Sequence, residues 1–228
     1  MKGAREIGSE DTIHRGPPVT VSRYGPAKRV NHWITAFSLI LLALSGLALF
    51  HPTLFFLTGL FGGGQNTRML HPWFGVVLFI SFYILFFQLW KANLFIRDDF
   101  RWFTNFNDVI GGHEERLPEM GKYNPGQKLI FWAMALLIVA LIVSGLMIWD
   151  QYFYTYTAIE TKRIAVLTHA VAAVLIVCAF IIHVYAAFWT RGTIRAMTRG
   201  SVTGGWAWRH HRRWLRELAG HGRIDSAE

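Results

Sequence analysis

The chain has 228 residues, of which 53% are hydrophobic and 16% are charged, and its formal net charge is +9. A soluble globular domain carries about 25% charged residues, so this composition excludes an ordinary soluble enzyme. The positive net charge alone is compatible with a nucleic-acid partner, and only the placement of the basic residues along the chain decides that question.

Charged residues are missing from four stretches of the chain, and each stretch is long enough to cross a membrane. No Asp, Glu, Lys or Arg occurs in residues 30–67, 69–90, 129–149 or 164–190. A membrane helix needs about 20 apolar residues. The sequence therefore predicts an all-α membrane protein, a four-transmembrane-helix bundle with spans at about residues 33–50, 69–90, 127–149 and 164–189.

The segments outside these helices differ in character. Residues 1–22 are polar, and we expect them to be loosely ordered. The 91–128 connection mixes aromatic and charged residues, which favours a surface segment with short helices. Residues 205–216 have the pattern of an amphipathic helix on the inner leaflet. The predicted division is a polar segment at 1–22, a membrane domain at 23–190 and a basic cytoplasmic tail at 191–228, with no internal repeat.

Lysine and arginine are sorted by segment. Residues 1–31, 91–128 and 190–228 carry six, six and eight of them, whereas the other two connections together carry three. The positive-inside rule then places both termini and the middle connection in the cytoplasm, for a multi-pass protein of the bacterial inner membrane. Because loop-sorted basic residues interact with anionic lipid headgroups, we expect no nucleic-acid partner.

Four of the ten histidines lie within the predicted helices at matched depths. His32 opens the first helix at the inner surface, and His71 opens the second at the outer surface. The fourth helix carries His169 near its outer end and His183 fourteen residues later. Fourteen residues rise about 21 Å and return to within about 40° of the same helix face. The sequence therefore predicts an outer pair, His71 with His169, and an inner pair, His32 with His183.

A pair of neutral imidazoles inside a helix bundle supplies the two axial ligands of a six-coordinate haem. Ionisable groups within the bilayer are costly and are functional candidates; the alternative is that each histidine hydrogen-bonds a neighbouring helix. The single cysteine, Cys178, excludes an iron–sulfur cluster and c-type haem attachment. A small residue follows each histidine by four positions, which leaves space for a macrocycle: Ala36, Gly75, Ala173 and Ala187.

The remaining histidines need no function. His51 lies at the outer end of the first helix, where an interfacial position is expected. The others lie in polar segments, and we expect them to be solvated: His14, His113, His210, His211 and His221.

Haem propionates require cations at both depths. Lys28 and Arg29 at the inner level, and Arg68 or Arg163 at the outer, are suitable by position, although ordinary membrane-flanking charge is the alternative.

An ordered set of motifs over about residues 20–218 resembles the cytochrome b (gamma) subunit of membrane-bound respiratory formate dehydrogenases. The motifs are Val30-Asn-His-Trp33, Leu70-His-Pro-Trp-Phe-Gly75, Gly121-Lys-Tyr-Asn-Pro-Gly-Gln-Lys128, His169-Ala, Ile182-His-Val-Tyr-Ala-Ala-Phe-Trp189 and His210-His-Arg-Arg-Trp-Leu-Arg-Glu217. The broader group includes cytochrome b subunits of nickel–iron hydrogenases and thiosulfate reductases. The segment that begins at Gly121 is most similar to the formate dehydrogenase branch.

The resemblance implies an electron-transfer subunit with two haems b, whose ligands are His71 and His169 outside and His32 and His183 inside. A molybdenum or tungsten catalytic (alpha) subunit oxidises formate, an iron–sulfur (beta) subunit passes on the electrons, and quinone is reduced near the cytoplasm. Membrane lipid surrounds the helices, and the complex can form a higher oligomer. The alternatives are the hydrogenase or thiosulfate-reductase type of subunit, or, in a different class, a haem-free anchor or transporter.

The resemblance also implies a quinone beside the inner haem, in contact with Asn124, Gly126 and His183. Hydrogen-bond donors at the membrane edge, with water nearby as a proton source, suit a quinone carbonyl. Pro125 departs from the smaller residue expected between Asn124 and Gly126, and it removes one backbone N–H. The alternative is that Asn124 is only the N-cap of the third helix.

Overall fold

The structure is a computed structural model of the chain, and it describes residues 6–113 and 116–225. Four long helices alternate with short helices and strands. In chain order the elements are β1 (Thr12–His14), β2 (Thr20–Ser22), α1 (Pro26–Phe50), α2 (Gly64–Leu89), α3 (Arg97–Thr104), α4 (Phe106–Ile110), α5 (Pro125–Ile148), α6 (Asp150–Phe153), α7 (Ile159–Trp189), α8 (Ile194–Thr198), β3 (Ser201–Thr203), α9 (Gly204–His210), α10 (Arg212–Gly220) and β4 (Ile224–Asp225). Two 3₁₀ helices, Pro52–Phe61 and Tyr154–Tyr156, lie in the connections after α1 and α6.

The four predicted membrane spans are confirmed as α1, α2, α5 and α7. Each helix ends within one residue of its predicted end, but α1, α2 and α7 begin five to seven residues earlier than predicted. Hydropathy detects only the apolar part of a helix, whereas the backbone continues through polar residues such as Lys28 in α1 and Lys162 in α7. The middle connection contains the short helices α3 and α4, as predicted.

Most residues of the membrane spans are at least partly exposed. Only 17–22% of the residues in the most apolar window of each span are buried. Phe37, Leu136 and Leu175, for example, are more than half exposed. Contiguous apolar surface of this extent is unusual on a soluble protein. It is suited to hydrocarbon, because a helix satisfies its own backbone hydrogen bonds there.

The residues form two compact units. The first comprises Met1–Arg29, Phe87–Phe131 and His183–Glu228, and the second comprises Val30–Phe86 and Trp132–Ile182. The second unit contains most of the length of the four spans. The boundaries at residues 22 and 190 that the sequence predicts divide the chain differently, and they stay a prediction.

Neutral polar side chains join the helices of the second unit. Ser81 on α2 donates a hydrogen bond to the Asn31 amide oxygen at 2.9 Å, and its hydroxyl lies 2.6 Å from that of Thr35 on α1. The Tyr83 hydroxyl on α2 donates to the Ala135 carbonyl on α5 at 2.9 Å. Such contacts hold membrane helices together where lipid removes the hydrophobic driving force between them. Asn31 immediately precedes His32, so this network fixes the part of α1 that carries the histidine.

The first unit contains a small sheet that the sequence did not predict. Its strand order is β3-β2-β1-β4, in which β1 pairs antiparallel with β2 and parallel with β4. Val21 and Val202 on neighbouring strands are fully buried. The expectation that residues 1–22 are loosely ordered is therefore wrong for the described residues, because β1 and β2 pair with strands from the C-terminal segment.

The amphipathic tail is present as α9 and α10, but its apolar face packs on protein. Trp214 and Leu218 are fully buried in the same core as the sheet residues, and Trp206 is nearly so. The apolar face of these residues therefore contacts protein, and the position of the tail at the inner leaflet stays a prediction. Trp208 on α9 remains about half exposed.

Buried charged side chains connect the core formed by the sheet, α9 and α10 to neighbouring segments of the chain. The Lys122 ammonium donates to both carboxylate oxygens of Asp11, at 2.6 and 2.9 Å, and both side chains are buried. Trp214 donates its indole N–H to the same carboxylate at 3.1 Å. The Arg23 guanidinium lies within 5.6 Å of the centres of four aromatic rings: those of Tyr24, Tyr123, Trp206 and Trp214. This arrangement satisfies buried cations by ion pairing and by the faces of aromatic rings.

His211 is buried in this core and is not solvated as expected. Its Nδ1 lies 2.6 Å from the Gly121 carbonyl oxygen, which accepts only, so Nδ1 carries the proton. Burial lowers the pKa of His211 well below its ordinary value, and the Arg23 guanidinium lowers it further. A neutral His211 therefore links the start of α10 to the segment before α5.

The Asp11–Lys122 pair generates the first prediction. Asp11→Ala leaves the Lys122 ammonium buried without its carboxylate, and breaking a buried pair in this way costs about 3–5 kcal/mol. We expect a clear fall in the thermal unfolding midpoint in detergent. Glu119→Ala is the control, because it removes the exposed partner of Arg216 at 3.0 Å and such pairs contribute about 0–1 kcal/mol. Equal midpoints for the two variants would contradict the structural role of the buried pair.

Candidate haem site

The outer pair of predicted ligands meets inside the second unit. His71 on α2 and His169 on α7 have ring centroids 6.3 Å apart. A metal–imidazole bond is about 2.0–2.1 Å long and the ring centre lies about 1.1 Å further along the same line, so two imidazoles on opposite sides of one metal ion have centroids about 6.2–6.4 Å apart. The observed separation therefore fits two axial ligands of a single iron.

Each of these imidazoles has its Nδ1 bonded to a serine hydroxyl on another helix. Ser45 Oγ on α1 lies 2.7 Å from His71 Nδ1, and Ser144 Oγ on α5 lies 3.0 Å from His169 Nδ1. Ser45 donates its own proton to the Leu41 carbonyl at 2.7 Å, and Ser144 donates to the Ala140 carbonyl at 2.6 Å. A hydroxyl has one proton, so a serine whose proton is directed to the carbonyl accepts from its histidine.

In this arrangement both rings carry their proton on Nδ1. With the proton on Nδ1, the Nε2 lone pair of His71 and of His169 is available to a metal. A second ring nitrogen held by an acceptor is the usual arrangement of histidines that ligate metals. The two imidazoles are therefore oriented for ligation by their own hydrogen bonds.

Glycine follows each serine and lies against the imidazole that the serine binds. A Cβ on Gly46 would lie 3.3 Å from His71 Cε1, and a Cβ on Gly145 would lie 3.4 Å from His169 Cε1. These distances are at the tight limit for carbon–carbon contact. The absence of a side chain at both positions lets the ring approach the helix backbone closely.

A cavity of about 980 Å³ surrounds the two histidines, entirely within the second unit. That volume is at the upper end of the range of about 300–1,000 Å³ for small-molecule sites, and the lining is mostly apolar. Gly75 and Ala173, two of the small residues singled out by sequence, line it. Arg68 also lines the cavity, whereas Arg163 does not. Arg68 is therefore the better placed of the two to neutralise a haem propionate at the outer level.

A metal ion at this position needs ligands beyond the two histidines. Among residues 6–113 and 116–225, no group of three or more His, Cys, Asp or Glu side chains is arranged to hold a metal ion. Two axial imidazoles and an apolar cavity fit a metal whose other ligands come from a flat macrocycle. The residues present thus suit haem better than a metal ion held by protein alone.

The two residues of the inner pair lie in different compact units. His32 on α1 belongs to the second unit, is half-buried and has its ring 5.6 Å from that of Trp33. His183 on α7 belongs to the first unit and is exposed on the isolated chain. Their pairing across one haem remains a prediction from helix geometry.

The predicted quinone residues lie at the start of α5, in the first unit. Asn124 and Gln127 form a reciprocal cap: the Asn124 amide oxygen accepts from Gln127 N–H at 2.9 Å, and the Gln127 amide oxygen accepts from Asn124 N–H at 3.1 Å. The N-cap role of Asn124 is therefore present. In the first turn of α5, Pro125 has no backbone N–H, and the N–H of Gln127 already donates to Asn124. The backbone N–H of Gly126 is therefore the first-turn donor that the cap does not use.

The serine and glycine positions were not among the site residues predicted from the sequence. Both pairs occur in the tripeptide Ser-Gly-Leu, at Ser45 and at Ser144, and each serine precedes its histidine by 25 or 26 residues. This is a short repeat in a chain in which we expected none. The repeated tripeptide is weak by itself, because small residues are frequent in membrane helices.

Comparison with known proteins shows the family of the chain. Residues 23–200 match the family model described as prokaryotic cytochrome b561. The formate dehydrogenase cytochrome b556(fdo) subunit of Escherichia coli (strain K12) is 45% identical over 199 residues, which cover 87% of this chain and 93% of that protein.

Two further relatives have similar coverage. The nitrate-inducible formate dehydrogenase cytochrome b556(Fdn) subunit of Escherichia coli (strain K12) is 40% identical over 190 residues, 83% of this chain and 88% of that protein. The formate dehydrogenase cytochrome b556 subunit of Haemophilus influenzae is 36% identical over 197 residues, 86% of this chain and 83% of that protein. The similarity therefore extends over nearly all of each protein.

Haem content is the direct test of the histidine pairs. We expect purified wild-type protein to contain two haems b per chain in a pyridine haemochrome assay. His71→Ala and His169→Ala should each remove one haem, and His32→Ala and His183→Ala should each remove the other, because an axial ligand is lost. A content of one or zero in folded wild-type protein would contradict the pairing.

The cavity lining makes a narrower prediction. Ala173→Leu adds a branched side chain to the cavity without touching a ligand, and overpacking of this kind costs about 1–3 kcal/mol. The spectrum and midpoint potential of the outer haem should change. Val171→Leu on the exposed face of the same helix is the control, and equal spectra for the two variants would refute the proposed role of Ala173.

Proposed function

The chain belongs to the prokaryotic cytochrome b561 family and to its formate dehydrogenase cytochrome b subunits, and we propose that it carries two haems b and transfers electrons to membrane quinone. One observation carries this proposal: His71 and His169 lie at the spacing of two axial ligands, each with its Nδ1–H held by a serine. Haem, when bound, supplies a centre that accepts and releases one electron.

In this proposal His71 and His169 hold the outer haem, and His32 and His183 hold the inner one. The continuity of α7 from Ile159 to Trp189 supports the assignment, because it keeps the fourteen-residue spacing of its two histidines on an unbroken helix. That spacing corresponds to a rise of about 21 Å. One helix thus presents a ligand near each side of the membrane.

The proposed partners are an iron–sulfur (beta) subunit and a molybdenum or tungsten catalytic (alpha) subunit. The relatives are named as formate dehydrogenase subunits, and their similarity covers nearly the whole chain. Formate oxidation is assigned to the catalytic partner. Membrane lipid covers the exposed apolar faces of the helices, and the complex can assemble further into a higher oligomer.

The proposed orientation has both termini in the cytoplasm, and electrons enter from the outer side. The sorting of lysine and arginine supports it, since the described basic residues lie mainly in the segments before α1, between α2 and α5, and after α7. Inward transfer of one electron against a negative interior costs about 2.3 kcal/mol per 100 mV. Redox energy is stored as membrane potential by this route.

We place the quinone near the start of α5, with Asn124, Gly126 and His183 as its contacts. The reciprocal cap uses the amide oxygen and the backbone N–H of Asn124, so the side-chain amide N–H₂ is the donor that we assign to the quinone. The Gly126 N–H is the first-turn donor outside the cap. Donors of this kind hydrogen-bond a quinone carbonyl, and the reduced quinone takes its protons from the cytoplasm.

The experiment uses the purified complex that contains this chain. Addition of formate should produce the absorption band of reduced haem b, and addition of quinone should then remove it. The isolated chain should be reduced by dithionite and not by formate. Reduction by hydrogen but not formate would identify the hydrogenase type of subunit, and a spectrum without any haem b band would identify an anchor or transporter.

The cap and quinone roles of Asn124 can be separated by two variants. Asn124→Asp keeps an N-cap acceptor but removes the amide donor, whereas Asn124→Ala removes both and costs about 0.5–2 kcal/mol of stability. A quinone contact predicts slow reoxidation of the dithionite-reduced cytochrome by a soluble quinone in both variants, with both haems retained. Stopped-flow rates equal to wild type in Asn124→Asp would leave Asn124 with the cap role alone.

A further inference from the structure

We propose that Ser45 and Ser144 are positioning residues that set the redox potential of the outer haem, an inference that rests on the proposed function. Neither serine was a predicted site residue. Both are buried, at 0% and 3% exposure, in helices that carry no outer ligand. Their role is argued from the direction of their hydrogen bonds, their symmetry and the glycine that follows each.

The carbonyl contacts of the two serines give the proposed direction of the bonds. Each serine proton is directed to the carbonyl four residues earlier, at 2.7 Å for Ser45 and 2.6 Å for Ser144. The hydroxyl oxygen is then an acceptor for Nδ1–H of His71 or His169. A chain of two hydrogen bonds, from imidazole to hydroxyl to carbonyl, polarises each ligand in the same direction.

The two contacts are equivalent by element, and His169 has an additional hydrogen bond to the Leu141 backbone that His71 lacks among the described residues. The serine of α1 supports the ligand of α2, and the serine of α5 supports the ligand of α7. Gly46 and Gly145 bring the ring against the backbone in both cases. The same Ser-Gly pair thus lies beside each of the two histidines that would share one haem.

The electronic consequence follows from ligand basicity. An acceptor on Nδ1–H makes the imidazole a stronger donor to the metal. A stronger donor stabilises the oxidised, more positively charged iron relative to the reduced iron. The two serines therefore hold the outer haem at a lower potential than the same histidines would without acceptors.

The test is a redox titration of Ser45→Ala, Ser144→Ala and the double variant, all purified as holoprotein. Two haems per chain should remain. The ratio of reduced to oxidised outer haem at a fixed applied potential should rise about threefold to tenfold, where tenfold corresponds to 59 mV for one electron. The effects should add in the double variant, and the low-spin signal of the oxidised outer haem in electron paramagnetic resonance should shift.

Three control variants distinguish the hydrogen bond to the ligand histidine from a general effect of serine on helix packing. Ser81→Ala removes a buried serine of α2 that bonds to Asn31 and Thr35 instead of an outer ligand, and the outer potential should not change. Ser45→Thr keeps the hydroxyl and should restore the wild-type potential. If Ser45→Ala does not fold, Ser45→Cys retains the size with a weaker acceptor and should give a smaller rise.

The outcomes distinguish this inference from the function on which it rests. A raised outer potential with both haems retained supports the positioning role, whereas selective loss of the outer haem in the serine variants contradicts the proposed effect on its potential. An outer potential and resonance signal equal to wild type in Ser45→Ala and Ser144→Ala, or in Ser45→Cys, would overturn it while the two-haem function stands. Wild-type protein without haem b would instead overturn the proposed function itself.

Discussion

A histidine that ligates a metal within hydrocarbon has a second ring nitrogen whose proton needs an acceptor, and no water is present there to provide one. An unsatisfied polar group in such surroundings costs several kcal/mol. Ser45 and Ser144 provide this acceptor from neighbouring helices. The rotation of α1 relative to α2, and of α5 relative to α7, has to keep each serine within hydrogen-bond distance of its histidine. The site and the packing of the second unit thus depend on the same two contacts.

The two units satisfy their polar groups in different ways. In the second unit, the described contacts between the spanning helices involve neutral groups: hydroxyls, amides, imidazoles and backbone carbonyls. In the first unit, charged side chains are buried as pairs, as with Lys122 and Asp11, or are enclosed by aromatic rings, as with Arg23. Ion pairs of that kind are expensive to bury in lipid, whereas a protein core of strands and short helices accommodates them.

The sequence predicted the features that depend on local composition or on regular helix geometry. The membrane spans follow from the charge-free stretches, and the depth of His71 and His169 follows from the rise of a helix. The sheet could not be predicted, because β2 is three residues long and pairs with residues 201–203, which are about 180 positions away. Asp11 is buried for a similar reason, since its partner Lys122 lies 111 residues later.

The serine–histidine contacts are close in sequence but could not be predicted from it. Each bond joins residues only 25 or 26 positions apart, but it depends on which faces of two helices meet, and apolar helices with little amphipathic pattern do not reveal that. The cap formed by Asn124 and Gln127 was predictable, because an N-cap amide followed three residues later by glutamine is a local signal. The predicted helix starts were too late because a hydropathy pattern does not distinguish polar residues at the end of a helix from polar residues in a loop.

Anomalous diffraction at the iron absorption edge, from crystals of the purified holoprotein, locates each haem iron relative to the histidines. We expect two iron peaks per chain. One lies between Nε2 of His71 and Nε2 of His169, with both Nδ1 atoms still bonded to serine hydroxyls, and the other lies between His32 and His183. A single peak, no peak, or iron held by other residues would contradict this expectation.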